Sequence, residues 1–334
     1  PMETGMTSFK ALLVEKQEDK SFTRRIKQRS LDDLPEGTLL IKVQYSSLNY
    51  KDGLAITGKG KIIRNFPMIP GIDFVGTVLS SSSNDYPEGK EVILTGWGVG
   101  ETHWGGMAQQ ARVDASWLVP LPENLSPARA MMIGTAGLTA MLCVQALLDG
   151  GLTPESGTIL VTGASGGVGS ISVTLLTELG FTVAACTGRA NQNTELLKEL
   201  GASEIVEREA LEAPAKPLEK QVWAGVIASV GSKILAKALA QTQYGGVVAA
   251  CGLAGGFDLP TTVMPFILRN IQLKGIDSVM CPKEKRIHAW NKISSLLPNS
   301  FYEKASTTIS LDQVPEFAEK ITNGQVTGRI IVEL

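Results

Sequence analysis

One stretch restricts the possible folds more than any other. TILVTGASGGVGS, Thr158 to Ser170, runs from an apolar segment through a glycine-dense turn into a helix-like segment. It opens a regular alternation. TILVTG, FTVAACTG, SEIVE, AGVIASVG and GGVVAACG read as strands, and SISVTLLTELG, NTELLKELG and KILAKALAQT read as helices between them. The strand segments are almost continuously apolar, as required when helices cover both faces of a sheet. The alternation predicts an α/β fold with a doubly wound parallel sheet.

Gly163, Gly166 and Gly169 have the spacing GxxGxxG, with Ser165, Gly167 and Val168 between them. The first glycine turns the chain off the strand, the second clears space for a pyrophosphate, and the third lets the helix pack close to the sheet. The helix start then offers unpaired N–H groups and partial positive charge to phosphate. A dinucleotide site is expected here. The following strand bears on which dinucleotide. NAD sites usually place a carboxylate about 20 residues on, at the ribose 2′-hydroxyl. FTVAACTGR instead ends in Thr187, Gly188 and Arg189. A guanidinium and a hydroxyl suit a 2′-phosphate, and Ser165 adds a donor, so NADPH is the expected cofactor.

Before this region the chain has a different pattern. KALLVE, TLLIKVQYSS, GIDFVGTVLSS and KEVILTGW are short, β-branched and separated by turn residues, and therefore read as strands. PLPENLSPARA reads as a linker into AMMIGTAGLTAMLCVQALL, an uncharged segment about as long as a minimal membrane span. Its internal Gly, Thr and Gln residues favour a buried helix joining two domains. After Ile271 come a short strand, two helices and a last strand, GRIIVEL. Met6 reads as a natural start, and the first ten residues lack the basic-then-apolar layout of a signal peptide. A net charge of −2 gives no field for nucleic acid or an anionic membrane. Four dispersed cysteines suggest free thiols in the cytoplasm. With only two histidines, a histidine-rich metal site is not expected.

SSLNYKDGLAITG places Asn49, Tyr50 and Asp52 just after a strand, where polar residues serve either as turn formers or as catalytic groups. LTGWGVGETHWGGMAQ carries Trp97, His103 and Trp104 among glycines, which suits either substrate positioning or plain loop packing. Lys59, Lys61 and Arg64 lie in the segment GKGKIIRNFPMIPG.

SSLNYKDGLAITGKGKIIRNFPMIPGIDFVGTV, GASGGVGS, QVWAG, CGLAGGFDLPTTVMPFILRN and GIDSVM together resemble the acryloyl-CoA reductase branch of the medium-chain dehydrogenase/reductase superfamily. The resemblance runs from about Phe9 to Leu334. It implies a GroES-like catalytic domain over 1–130, a Rossmann domain over 131–270 and a return segment over 271–334, commonly assembled as a homodimer. The Cys and His ligands and the four-cysteine lobe of zinc-dependent relatives have no counterpart here, so no metal is expected. NADPH contacts carried over by resemblance fall on Tyr50, Ser165 to Val168, Thr187 to Arg189, Arg208, Leu253, Ile267, Ser278 and Asn323.

The implied reaction reduces the double bond of an acyl-CoA thioester, acryloyl-CoA, to propanoyl-CoA. Hydride attacks the β-carbon, charge develops on the thioester oxygen, and a proton reaches the α-carbon. Tyr50 is the first candidate, either holding the nicotinamide or relaying the proton, since a phenol of pKa ~10 is protonated at neutrality; water is the alternative proton source. Asn49 and Asp52 would shape that pocket, and Lys59, Lys61 and Arg64 would meet CoA phosphates. Two other readings are a quinone or enone reductase and an NADPH-binding protein without turnover, as in recruited crystallins.

Overall fold

The computed structural model describes residues 7–334, so Met6 lies outside the described residues. Two compact units emerge. The first holds the described residues up to Thr135 with Ser278–Ser294 and Ser306–Leu334. The second holds Ala136–Asp277 and Ser295–Ala305.

In the first unit β1 (Ser8–Lys16) and β2 (Phe22–Ser30) form an antiparallel pair. Then come β3 (Leu39–Ser47), α1 (Tyr50–Thr57), β4 (Asp73–Ser81), β5 (Glu91–Thr95), β6 (Gln110–Val113) and β7 (Leu118–Pro120). Leu39, Ile41, Phe74, Val92 and Leu94, on alternate positions of these strands, close one core cluster. At about 25 cal/mol per Å² of apolar surface, each such side chain contributes roughly 2 kcal/mol against the entropy of ordering it.

Next, α2 (Pro127–Asp149) is long and apolar enough by composition to cross a membrane, but 78% of its most apolar window is buried inside the protein. It kinks at Gly134, where φ is 55° and ψ −158°.

The second unit continues through β8 (Ile159–Val161), α3 (Gly167–Glu178), β9 (Val183–Thr187), α4 (Ala190–Glu199), β10 (Glu204–Glu207) and α5 (Glu209–Glu212). It ends through β11 (Trp223–Ala228), α6 (Ser232–Ala240), β12 (Thr242–Ala250), α7 (Met264–Arg269) and β13 (Gln272–Gly275). The six strands are all parallel, in the order β10-β9-β8-β11-β12-β13. Strand order reverses between β8 and β11, and ligands bind doubly wound sheets at such a reversal. Leu160, Val226 and Val248 are fully buried at its centre.

The remaining elements are α8 (Lys283–Leu296), α9 (Asn299–Lys304), β14 (Ser306–Ser310), α10 (Val314–Thr322) and β15 (Arg329–Glu333). β15 pairs antiparallel with β3, Ile331 opposite Ser47, and with β14 parallel on its other side extends the first unit's sheet to seven strands.

Candidate active site

In the second unit the glycine turn follows directly from β8. Gly163 has φ 59°, and a Cβ there would stand 2.5 Å from Ser229 Oγ. A Cβ at Gly169 would lie 2.2 Å from the Gly163 carbonyl oxygen, so only glycine allows α3 to sit this close to the turn. Gly166 is different. It is the N-cap of α3, and its nearest neighbour to an added Cβ is 3.4 Å away, leaving an open approach to the helix start. The first-turn N–H groups of α3, at Gly167 and Val168, have no carbonyl of their own helix to reach and suit an anion.

The end of β9 lies beside this turn. Thr187 Oγ1 donates to Ser165 Oγ at 3.2 Å and accepts from the Arg189 backbone N–H at 3.2 Å. The Arg208 guanidinium lies over Gly188, where a Cβ would stand 2.6 Å from its Cζ. Arg208 pairs with Glu212 at 3.0 Å, and both side chains are half exposed. No carboxylate stands at the strand end itself, where Thr187, Gly188 and Arg189 follow one another. Two guanidinium-bearing residues and two hydroxyls therefore gather around Gly188, a donor set that fits a phosphate better than a 2′-hydroxyl. Leu253 and Ile267, in the same unit, are largely exposed.

In the first unit, Asn49 and Asp52 form the capping box of α1. The Asn49 N–H and Nδ2 both donate to Asp52 Oδ2, at 2.9 and 3.0 Å. The Ile72 N–H donates to Asp52 Oδ1 at 3.0 Å. Asp52 is 1% exposed and Asn49 9%, so neither is placed to touch a substrate. Both were expected to shape the pocket, and both are buried at the start of α1. Tyr50, the first residue of α1, is 40% exposed and is the group that remains available.

The same cluster holds residues that sequence reasoning missed. Asp73 Oδ1 accepts from Ser47 Oγ at 2.6 Å, and Oδ2 accepts from the Thr135 N–H and Oγ1, both at 2.8 Å. Arg329 donates from Nη1 to Asn49 Oδ1 at 3.2 Å and from Nη2 to Ser47 Oγ at 2.9 Å. It also donates to the Met132 and Met131 carbonyls, just before the kink in α2. A Cβ at Gly134 would stand 2.4 Å from Arg329 Nη2, which is why this position takes glycine. The cluster carries two carboxyl groups and one guanidinium. Burial, followed by the charge of Asp73, pushes the Asp52 carboxyl up to about 7, although its three hydrogen bonds oppose the shift. Burial pulls Arg329 down, against the attraction of Asp73 and Asp52.

Lys59 donates to Glu319, Thr322 and Asn323 at 3.0–3.1 Å, so two residues expected to meet different ligands meet each other. Lys61 and Arg64 are exposed and Ser278 is buried. Trp97 lies over the Arg286 guanidinium at 4.9 Å, Trp104 donates to the Pro67 carbonyl, and His103 packs edge-on against Trp117. All three are engaged in packing the glycine-rich loop. Among the described residues no three His, Cys, Asp or Glu side chains come together as a metal-ligating group.

The alcohol dehydrogenase GroES-like domain matches residues 35–123, and the zinc-binding dehydrogenase domain matches residues 167–295. Together with the two units, that pairing defines a medium-chain dehydrogenase/reductase. The probable acrylyl-CoA reductase AcuI of Escherichia coli is 59% identical over 98% of this chain and 100% of its own length. Acrylyl-CoA reductase AcuI of Ruegeria pomeroyi is 50% identical over 98% of this chain and 99% of its own. A crystal structure of Escherichia coli K-12 YHDH with bound NADPH matches with a TM-score of 0.95 at 58% identity, covering 97% of this chain and 99% of that one. Within the superfamily, this chain belongs to the acrylyl-CoA reductase family.

Proposed function

We propose that this chain is an NADPH-dependent acrylyl-CoA reductase. The observation that carries the reading is its full-length relationship to acrylyl-CoA reductases, at 59% and 50% identity. The end of β9 supports the choice of cofactor. Ser165, Thr187, Arg189 and Arg208 hold the 2′-phosphate, and the first turn of α3 receives the pyrophosphate. The other cofactor contacts are Gly163, Gly188, Leu253 and Ile267, with Tyr50, Ser278 and Asn323 from the first unit.

Bound NADPH supplies the hydride that reduces the substrate's β-carbon. The chain supplies alignment and a proton. Tyr50 Oη donates toward the thioester side of the substrate, where negative charge develops, and its proton passes to the α-carbon. Lys61 and Arg64, exposed on the segment after α1, offer positive charge for CoA phosphates. Lys59 reaches such a phosphate only by leaving Glu319.

We also read the protein as a cytoplasmic homodimer. Free cysteines support the first part. Exposed Phe257, Val263 and Leu268 on the second unit support the second. Light scattering behind a sizing column checks the mass.

The deciding experiment follows oxidation of NADPH, and separately of NADH, with acrylyl-CoA, crotonyl-CoA, free acrylate and a simple quinone. NADPH-selective turnover of acrylyl-CoA is the expected result. Preference for the quinone would reassign the substrate, and tight NADPH binding without turnover would reassign the protein as a binder.

A further inference from the structure

We propose that Asp52 is a positioning residue for the reaction: its carboxylate fixes the first turn of α1, and with it the placement of Tyr50. The proposal rests on the acrylyl-CoA reductase reading, in which Tyr50 delivers the proton. Asp52 accepts three hydrogen bonds, from the Asn49 N–H, Asn49 Nδ2 and the Ile72 N–H. All three need an acceptor. Two of them hold the residue immediately before Tyr50, and the third ties α1 to the segment leading into β4.

The groups facing Asp52 explain why its state is variable. Asp73 comes from β4 and Arg329 from β15; Asn49 bridges them, donating to Asp73 Oδ2 and accepting from Arg329, and both carboxyls act on the guanidinium through space. On α1 itself, Lys51 is paired with Glu101 at 2.8 Å. From α10, the methyl groups of Ile321 and Thr322 press on Gly53, while Glu319 pairs with Lys59. Among the described residues, then, the charges around Asp52 are one negative and one positive. Its own ionisation leaves the cluster with an excess negative charge.

A protonated Asp52 has one fewer acceptor position for those N–H groups and gains an O–H to place. The start of α1 loosens when the proton binds and tightens when it leaves. Reduction is therefore faster on the alkaline side of this titration, through the position of Tyr50 and with no contact between Asp52 and substrate.

The test measures kcat and KM for wild type and Asp52→Asn from about pH 5.5 to about pH 9, with NADPH affinity measured alongside. In parallel, the Tyr50 ring carbon is followed by NMR across the same range, its signal assigned with Tyr50→Phe. The expected result is a wild-type kcat that falls on the acid side with a midpoint near 7. Asp52→Asn should show no such limb, a kcat lower by roughly ten- to a hundredfold at alkaline pH, and a much smaller loss of NADPH affinity, since Tyr50 is one cofactor contact among many. The wild-type Tyr50 signal should move with the same midpoint. A folded Asp52→Asn protein with wild-type kcat and an intact acid limb overturns the proposal. So does a wild-type Tyr50 signal indifferent to pH, a readout available even if the variant does not fold. If wild type turns over quinone instead of acrylyl-CoA, the substrate reading fails, and the same pH comparison on the quinone still decides the role of Asp52.

Discussion

Arg189 and Asp52 are both charged residues within five positions of the end of a strand, yet their surroundings put them to opposite uses. Arg189 stays near the surface beside Thr187 and Arg208, where it can meet a ligand. Arg189→Ala is expected to weaken NADPH binding by roughly ten- to a hundredfold, the loss of a charge-assisted contact, while leaving NADH affinity nearly unchanged. Titration calorimetry with both cofactors checks this. Arg208→Ala should cost less, because Glu212 already engages its guanidinium. Asp52 is buried, and its cost appears in stability. Its carboxyl is held up to about 7 in the folded chain against an ordinary value of 3.8. Between those values the unfolded chain has released the proton and the folded chain retains it. This contribution is therefore fully present below pH ~4, is lost as pH rises to ~7, and is flat above. Urea unfolding should show Asp52→Asn gaining stability relative to wild type across that window.

At the scale of elements, the glycine turn between β8 and α3 is the most tightly determined. Gly169→Ala is expected to push α3 off β8, costing about 1–3 kcal/mol and lowering NADPH affinity, measured by denaturation and fluorescence titration. This element was legible because its constraints are local: strand, turn and helix lie within thirteen consecutive residues, Thr158 to Ser170. The buried cluster under α1 was not. Asn49 and Arg329, bonded to each other, stand 280 residues apart, and no local pattern announces that pairing. A faint signal existed, in that Asp73 and Arg329 each head an otherwise apolar strand, as GIDFVGTV and GRIIVEL show. α1 itself was read only as a polar strand end, since its capping box looks like a turn in sequence. β2, FTRRIKQRS, escaped notice because none of its residues is buried and its charges mask the strand period.

The whole molecule comprises two units with separate cores, so a single two-state unfolding free energy is not expected to describe it. NADPH at a hundred times its dissociation constant should stabilise the cofactor-binding fold by about 2.7 kcal/mol. Calorimetry should show that gain first in whichever transition contains the parallel sheet. The threading of the chain has a further consequence, for synthesis. A ribosome finishes Ser47, Asn49, Asp52 and Asp73 long before it reaches Arg329. Until then the nascent first unit can bring its two carboxyls together only without their cation. The second unit, encoded almost entirely in between, has all six strands in hand much earlier. The part of the chain made first should therefore be the last to mature, and nascent chains arrested before Arg329 should yield a protease-resistant second unit attached to a still-digestible first.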